Sequence, residues 1–468
     1  MQFNSFEYWI FFAIVCCVLV ASKPNTRRIA IVISSYVFYS CWDPRFSILL
    51  AASTVANYAL GICIEDAAEH KRKAFVSLAV VLNLLVLGFF KYFNFFVGSF
   101  AEALHLSDQS LSLHIILPVG ISFFTFEGIA YCVDIYRKDI RAVRSLTDFS
   151  LFISFFPHLV AGPIIRPENF FPQVGKNFRP TIEDISWSAC QIIKGLIKKI
   201  IFADFFAVVA NDYFNDPATS AVAPAIGIIA FAMQIYFDFA GYTDIARGCA
   251  ALLGFKFPSN FERPYLATNI ADFWRRWHIS LSSWLRDYLY ISLGGNRVGP
   301  SRTYLNLMIV MGLGGLWHGA SWNFMVWGLA HGAMLCVHRC WGHRIKPHIA
   351  VAPAIRPATT LLGGMLTFVC VAIAWIPFRS VDFATTSVVL KQLFSIKVLS
   401  IAGSNQHYWL LLAVSALWCI ADGNRRIQRW LTESLPYPLI GVPAGLALVS
   451  MELFGQFDLH VPFIYFKF

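Results

Sequence analysis

Apolar runs of about twenty residues recur along the whole chain, and each long run suits a membrane-spanning helix. They predict helices over residues 6–22, 29–42, 46–64, 74–97, 115–136, 148–165, 186–210, 222–250, 303–317, 321–340, 357–378, 408–421 and 436–453. Several of these runs are short, so we expect about ten to twelve spans in all. The pattern therefore predicts an all-α polytopic membrane protein, with the spans packed as a helical bundle.

Basic residues occupy alternate loops in the first half of the chain. They cluster at 23–28, 71–73 and 137–144, whereas the loop at 98–114 contains neither Lys nor Arg. Because Lys and Arg are enriched in the cytoplasmic loops of membrane proteins, we predict that the three basic loops face the cytoplasm.

Composition agrees with a membrane protein and excludes a large soluble domain. Hydrophobic residues make up 57% of the chain and charged residues only 14%, whereas soluble domains carry about 25% charged residues. The net charge of +10 comes from loops between apolar runs, so it indicates membrane topology and predicts no nucleic-acid partner. The eleven cysteines are scattered without a CxxC pair, and HExxH is absent, so no catalytic metal is predicted.

Two segments depart from the pattern of straight spans. Residues 156–167 contain three prolines and one glycine, a density that a straight helix does not tolerate. We expect a broken or re-entrant segment there, lined by protein or water. Residues 269–295 mix tryptophan and tyrosine with arginine and aspartate, and we expect amphipathic helices at the cytoplasmic face.

His318 interrupts an apolar region. Arg302 precedes the run at 303–317 and Arg339 follows the run at 321–340, so both flanks are predicted to be cytoplasmic and His318 to lie near the apex of a helical hairpin. Ionisable groups inside a membrane are costly and mark pathways or chemistry. A neutral imidazole can take a proton from a hydroxyl. The alternative is a structural histidine bonded to a backbone carbonyl at the glycine-rich break.

Further polar residues are candidates for the same chemistry. His278 follows Arg275 and Arg276, which are suited to bind a phosphorylated donor or, equally, lipid headgroups, and His278 itself is equally suited to be a structural partner in a polar network. His331 would lie about 20 Å from His318 on a continuous helix, so the two are not expected to share a metal ion.

Asp238 and Asp244 stand in an apolar segment. They are candidates for an acid/base pair, but buried charges need partners. The favoured prediction is therefore that they anchor arginines or histidines of neighbouring helices.

Together these motifs resemble the membrane-bound O-acyltransferase family, and within it the branch of bacterial alginate O-acetyltransferases. The likeness covers nearly the whole chain and is carried by 155–164, 236–244, 273–296, 315–332 and the ending 463–466. It implies a helical bundle with broken, re-entrant and interfacial helices around a central funnel. It also implies one integral membrane domain over 1–468, with N-terminal spans at 1–147, a catalytic core at 148–345 and C-terminal spans at 346–468.

The resemblance implies that His278 and His318 are the two functional histidines and that His318 is catalytic. We expect Trp317, Asn323, Asp238, Asp244, Arg275 and Arg276 to bind substrate or line the funnel.

The expected activity is transfer of an acetyl group from a cytoplasmic donor, acetyl-CoA, to an exopolysaccharide such as alginate or cellulose, with no bound cofactor. The acetyl group is expected to reach the polysaccharide directly or through acetyltransferase- or esterase-like periplasmic partner proteins. The chain is expected to lie among the lipids of a bacterial inner membrane. Trp317-His318-Gly319 is followed by Ala-Ser-Trp-Asn, which favours this branch over a D-alanyl transferase of the teichoic-acid type. A transporter of the acyl donor is the other alternative, and it is disfavoured because the chain shows no internal repeat.

Overall fold

The computed structural model describes residues 1, 3–105, 113–160, 162–176, 179–342, 355–395 and 406–422, and the isolated residues 445, 449 and 463. Nearly all of the predicted span at 436–453, and the ending at 464–466, lie outside these residues. Every regular element that the described residues form is helical. The all-α prediction is confirmed.

The chain divides into two compact units. The first comprises residues 1–192 and 242–258, and the second comprises residues 193–241 and 259–468. Two helices continue from one unit into the other. The single membrane domain and its divisions after residues 147 and 345 stay predictions.

Helices of the first unit agree with the predicted spans to within a few residues at most boundaries. They are α1 (Phe6–Ala21), α2 (Pro24–Ser40), α3 (Pro44–Asp66), α4 (Glu69–Leu87), α5 (Phe93–Ala103), α6 (Ile121–Arg137), α7 (Leu146–Ser154), α8 (Phe156–Leu159), α9 (Pro167–Phe170) and most of α10 (Ile182–Leu196). A π-helical turn joins α4 to α5. The predicted span at 115–136 begins later, at Ile121, because Gly120 has a left-handed backbone with φ of 75°.

Helix α6 forms the core of the first unit and is buried on almost every side. Asn83 of α4 donates a hydrogen bond to Asn57 of α3, with 2.7 Å between Nδ2 and Oδ1. Gly128 of α6 makes room for Asn57, since a Cβ there would lie 2.8 Å from its amide. Small residues and interhelical hydrogen bonds are the usual means of holding helices together in lipid.

The predicted break at 156–167 is confirmed. Helix α8 covers only Phe156–Leu159, and residues 163–166 have no regular structure. Glu127 of α6 joins the two parts, because its Oε1 lies 3.0 Å from Nε2 of His158 and accepts the backbone N–H of Ile165 at 3.2 Å. Glu127 and His158 are fully buried, so this irregular backbone is lined by protein, as the membrane requires.

The second unit contains the end of α10 and the remaining helices. They are α11 (Asp204–Phe214), α12 (Pro224–Leu252, which continues into the first unit), α13 (Ile270–Arg276), α14 (Ile279–Trp284), α15 (Pro300–His318), α16 (Trp322–Cys340), α17 (Arg356–Arg379), α18 (Phe383–Leu393) and α19 (Gln406–Ala421). π-Helical turns join α10 to α11 and follow α14. Residues 269–295 thus form short helices, and their place at the membrane surface stays a prediction.

Helices α15 and α16 form the predicted hairpin. Helix α15 ends at His318 because Gly319 is extended, and Ser321 starts α16 as its N-cap by accepting the backbone N–H of Asn323 at 3.2 Å. This capping satisfies one of the free N–H groups at a helix start. The reversal places His318 at the turn of the hairpin.

Four described helical stretches are long and apolar enough to cross a membrane. They are Pro44–Asp66, Glu69–Ala103, Pro224–Leu252 and Arg356–Arg379, and shorter apolar helices occupy Phe6–Ala21 and Leu410–Ala421. The polytopic architecture is therefore supported by several separate helices. The larger predicted number of spans stays a prediction.

Candidate active site

His318 lies inside the second unit, with 3% of its surface exposed. Its ring centroid is 5.0 Å from that of Trp317, 5.0 Å from that of Trp327 and 5.3 Å from that of Phe378. The ring centroid of His278 is 6.5 Å away. The two predicted histidines are thus brought together, and His318 does not face lipid. A funnel open to both faces of the membrane stays a prediction.

Aromatic side chains from α16 and α17 form one wall of this site. Trp327 stacks on Trp375 at 5.4 Å with 19° between the planes and meets Phe378 edge to face at 5.1 Å. Our sequence reasoning missed Trp375 and Phe378, because nothing in the spacing indicates that α17 packs at the α15–α16 turn. Trp327 does fall within the family motif at 315–332.

The expected separation of about 20 Å between His331 and His318 was wrong. Both rings contact Trp327, at centroid distances of 4.9 and 5.0 Å. The 20 Å expectation assumed a continuous helix, whereas the chain reverses after His318. Even so, no group of three His, Cys, Asp or Glu among the described residues is arranged to hold a metal ion.

His278 occupies the N-cap of α14 with a left-handed backbone, φ of 42°. This conformation is uncommon for a residue with a side chain and persists where the surroundings enforce it. His278 is fully buried, and burial lowers the pKa of its imidazole to about 3. His278 is therefore neutral at physiological pH.

Asn260 is the polar partner of His278 that our sequence reasoning missed. Its Oδ1 lies 3.3 Å from Nδ1 of His278, and it also accepts the backbone N–H and the hydroxyl of Ser280, each at 3.0 Å. Asn260 is 1% exposed. It follows α12 in a stretch without regular structure, and the aromatic and proline residues around it carry no obvious sign of this role.

Phe239 of α12 covers the His278 ring edge to face at 4.7 Å. Phe463, from the ending that resembles the family terminus, packs on Phe239 at 5.8 Å and is 1% exposed. One residue of that ending therefore contributes to the packing behind His278.

Of the other predicted site residues, Trp317 lies at the site and Asn323 near it. Trp317 is 4% exposed and its ring lies 5.8 Å from that of His278. Asn323 donates from Nδ2 to the carbonyl of Ser380 at 3.0 Å. It thereby fastens the start of α16 to the chain that follows α17, close to Phe378.

Asp238 and Asp244 have different charged partners. Asp238 lies 2.9 Å from Nζ of Lys199, which also lies 2.8 Å from Asp204. Asp244 belongs to the first unit and lies 3.5 Å from Arg247 of its own helix. Asp244 follows Asp238 by six residues along α12, so the two side chains point about 240° apart around the helix axis. Asp238 anchors a lysine of a neighbouring helix, whereas the favoured prediction was an arginine or a histidine.

Arg275 and Arg276 end α13 and share one carboxylate. Asp272 lies 3.4 Å from Arg275 Nη2 and 3.1 Å from Arg276 Nε. Burial raises the pKa of Asp272, but Arg276, the backbone N–H of Thr268 and Arg275 together outweigh it and hold the pKa below the ordinary value. The Arg275 side chain is 69% exposed, so it keeps donors that face outward from this pair.

This geometry assembles two buried imidazoles, those of His278 and His318, among aromatic rings, where hydrogen bonds are strengthened. Such a site suits proton transfer at a substrate hydroxyl. The model of the membrane-bound O-acyltransferase family matches residues 137–361. The chain is 41% identical over 380 residues to a probable alginate O-acetylase, AlgI, of Pseudomonas aeruginosa, covering 80% of this chain and 71% of that protein.

The chain belongs to the membrane-bound O-acyltransferase family. It is therefore an O-acyltransferase and a multi-pass membrane protein, and the family expected from its motifs is confirmed. A peptidoglycan O-acetyltransferase of Helicobacter pylori is 35% identical over 410 residues, covering 81% of this chain and 76% of that protein. A teichoic acid D-alanyltransferase of Bacillus subtilis is 30% identical over 285 residues, covering 57% and 69%.

Proposed function

We propose that this O-acyltransferase moves an acetyl group from cytoplasmic acetyl-CoA to a hydroxyl outside the cytoplasm, in the O-acetylation of an exopolysaccharide such as alginate or cellulose. The observation that carries the proposal is the burial of His318 beside His278 at the turn of the α15–α16 hairpin. Both ends of the hairpin carry arginines, which favours a cytoplasmic position for them and a deeper position for His318.

His318 acts as the general base. One ring nitrogen takes the proton of the acceptor hydroxyl while that oxygen bonds to the acetyl carbonyl carbon. The carbon–sulfur bond of the thioester then breaks, and the thiolate leaves with the proton that His318 held. No net proton is gained or lost, and no bound cofactor is required. Proton transfer of this kind contributes about 10²- to 10⁴-fold.

The donor approaches from the cytoplasm, where acetyl-CoA is made. Arg275 presents a largely exposed guanidinium at the end of α13, and guanidinium groups bind phosphate with two parallel hydrogen bonds. We assign Arg275 and Arg276 to the phosphates of the donor. The phosphates then remain at the surface while the thioester reaches inward.

The acceptor lies on the far side of a bacterial inner membrane. Relatives named for alginate and peptidoglycan O-acetylation support a polysaccharide as the final acceptor. The immediate acceptor is the polymer itself or a serine of an acetyltransferase- or esterase-like periplasmic partner protein, and the same chemistry at His318 serves both.

A D-alanyl transferase is the second candidate. It is supported by a relative at 30% identity, which matches 57% of this chain, against 80% for the relative named for alginate. Feeding cells labelled acetate or labelled D-alanine distinguishes the two, since only the transferred group appears as an ester on the polymer.

The direct test replaces His318 with alanine and measures ester-linked acetate on the cell's polysaccharide. We expect a loss of at least about 10²-fold at an unchanged amount of membrane protein. His70→Ala, at an exposed histidine of α4, is the matched control and should acetylate normally. Normal acetylation by His318→Ala would refute the proposal.

A further inference from the structure

The side chain of Asn260 connects the chain that follows α12 to the start of α14. The backbone also joins them, since Ile279 donates its N–H to the carbonyl of Asn260 at 3.0 Å. This backbone bond does not depend on the side chain. The amide side chain is therefore not needed to join these two segments. All three of its contacts through Oδ1 are with His278 and Ser280.

These contacts determine which nitrogen of His278 carries the proton. A backbone N–H can only donate, so the Asn260 atom that faces the N–H of Ser280 at 3.0 Å is the amide oxygen. An amide oxygen can only accept. Nδ1 of His278, at 3.3 Å from the same oxygen, must therefore carry hydrogen. A neutral imidazole has one N–H, which leaves Nε2 with a lone pair.

We propose that Asn260 is a positioning residue that fixes His278 as its Nδ1-protonated form, so that Nε2 of His278 accepts a hydrogen bond from His318 during acyl transfer. This inference rests on the proposed function. With one His318 nitrogen donating to His278, directly or through one water, the other keeps its lone pair for the acceptor hydroxyl. The arrangement follows the general logic of a base oriented by a third group.

The surroundings of His278 favour this arrangement. Among the described residues, rings in contact with it include Phe239 at 4.7 Å, Trp317 at 5.8 Å, Phe261 at 6.4 Å and His318 at 6.5 Å. Among these rings His318 is the one titratable group. The hydrogen bond to Asn260 favours the form with hydrogen on Nδ1.

Three variants of the full-length protein, purified in detergent, test the assignment by the rate of acetyl transfer from acetyl-CoA. Asn260→Leu keeps the size of the side chain but removes the acceptor oxygen, and we expect a rate loss of about 10- to 100-fold, the usual effect of removing such a supporting hydrogen bond. Ser280→Ala removes one hydrogen bond to Oδ1 of Asn260, that of the Ser280 hydroxyl, but leaves the contact of Asn260 with His278. Its rate should stay within about threefold of the unchanged protein.

Asn260→Asp gives the deciding result. Its carboxylate still accepts from Nδ1, so the rate should approach that of the unchanged protein at high pH. Its negative charge also stabilises doubly protonated His278, which has no lone pair. The rate of Asn260→Asp should therefore fall as the pH is lowered, over a pH range in which the rate of the unchanged protein does not fall.

The outcomes separate the possibilities. A higher rate for Asn260→Asp at low pH would mean that His278 donates rather than accepts, and would overturn the inference. An unchanged pH profile for Asn260→Asp, or an equal loss in Ser280→Ala and Asn260→Leu, would also overturn it, since a purely structural role predicts both. Absence of acetyl transfer by the unchanged protein would instead reject the proposed function.

Discussion

Replacing Gly315 with alanine should separate helix packing from chemistry at His318. Gly315 lies where the backbones of α15 and α16 touch. A Cβ added there would overlap the carbonyl oxygen of Phe324 and lie 3.1 Å from the backbone of Gly328. Neither neighbour is a flexible side chain, so the helices themselves must move apart. His318 lies one turn further along α15 and moves with them.

The size of the effect follows from this overlap. Real Cβ atoms essentially never approach other atoms closer than 3.0 Å, and relieving the clash requires a shift of about 1 Å, a misplacement that costs a reaction about 10²-fold. That loss corresponds to about 2.7 kcal/mol of transition-state stabilisation. We expect the rate of acetyl transfer to fall about 10²-fold, although the substitution changes neither His278 nor His318.

Gly312→Ala is the matched control on the same helix. A Cβ there would meet only the side-chain ends of Met325 and Leu329, each at 3.2 Å, and both can turn away. Its acetyl transfer should stay within about threefold of the unchanged protein, as for other tolerated core substitutions. Both variants are assayed as folded, purified protein. Equal rates for Gly315→Ala and Gly312→Ala would refute the claim that close helix contact sets the position of His318.

Three further predictions concern stability. Lys199→Met leaves Asp204 and Asp238 without the lysine that they share and should destabilise the protein by about 3–5 kcal/mol, measured as loss of folded protein in detergent; full stability would contradict the anchoring role. Ser321→Ala removes the N-cap of α16 and should cost about 1 kcal/mol in thermal unfolding, with recovery in Ser321→Thr. The pKa of His278, lowered by burial to about 3, means that the unfolded chain binds this proton first as the pH falls. Stability should therefore decline below about pH 6.5, and less steeply in His278→Gln.

The helices could be predicted well from the sequence, because in a membrane the spacing of apolar runs follows the thickness of the lipid. The run at 303–317 and the break at residues 319–321 after it predicted α15, its end at His318 and the reversal into α16. The break at 156–167 was also predictable, since proline density is a local property. The start of α6 was missed because a left-handed residue at Gly120 leaves no trace in hydropathy.

The candidate site was predictable only in part. His278 and His318 could be named, but their distance depends on how α14 packs against α15, which spacing along the chain does not contain. Asn260 was missed because a single asparagine before a short helix resembles any loop residue. Asp238 was expected among site residues, yet it pairs with Lys199, which a π-helical turn carries and which no sequence period indicates.

The central claim is that His318, acting as general base, catalyses acetyl transfer from a cytoplasmic donor to an acceptor beyond the membrane. Inverted membrane vesicles, with the cytoplasmic face outward, are given radiolabelled acetyl-CoA, and ester-linked label on enclosed polysaccharide is measured for the unchanged protein and for His318→Ala. The account predicts label inside vesicles with the unchanged protein and a loss of at least about 10²-fold with His318→Ala. Equal label with both proteins would contradict it.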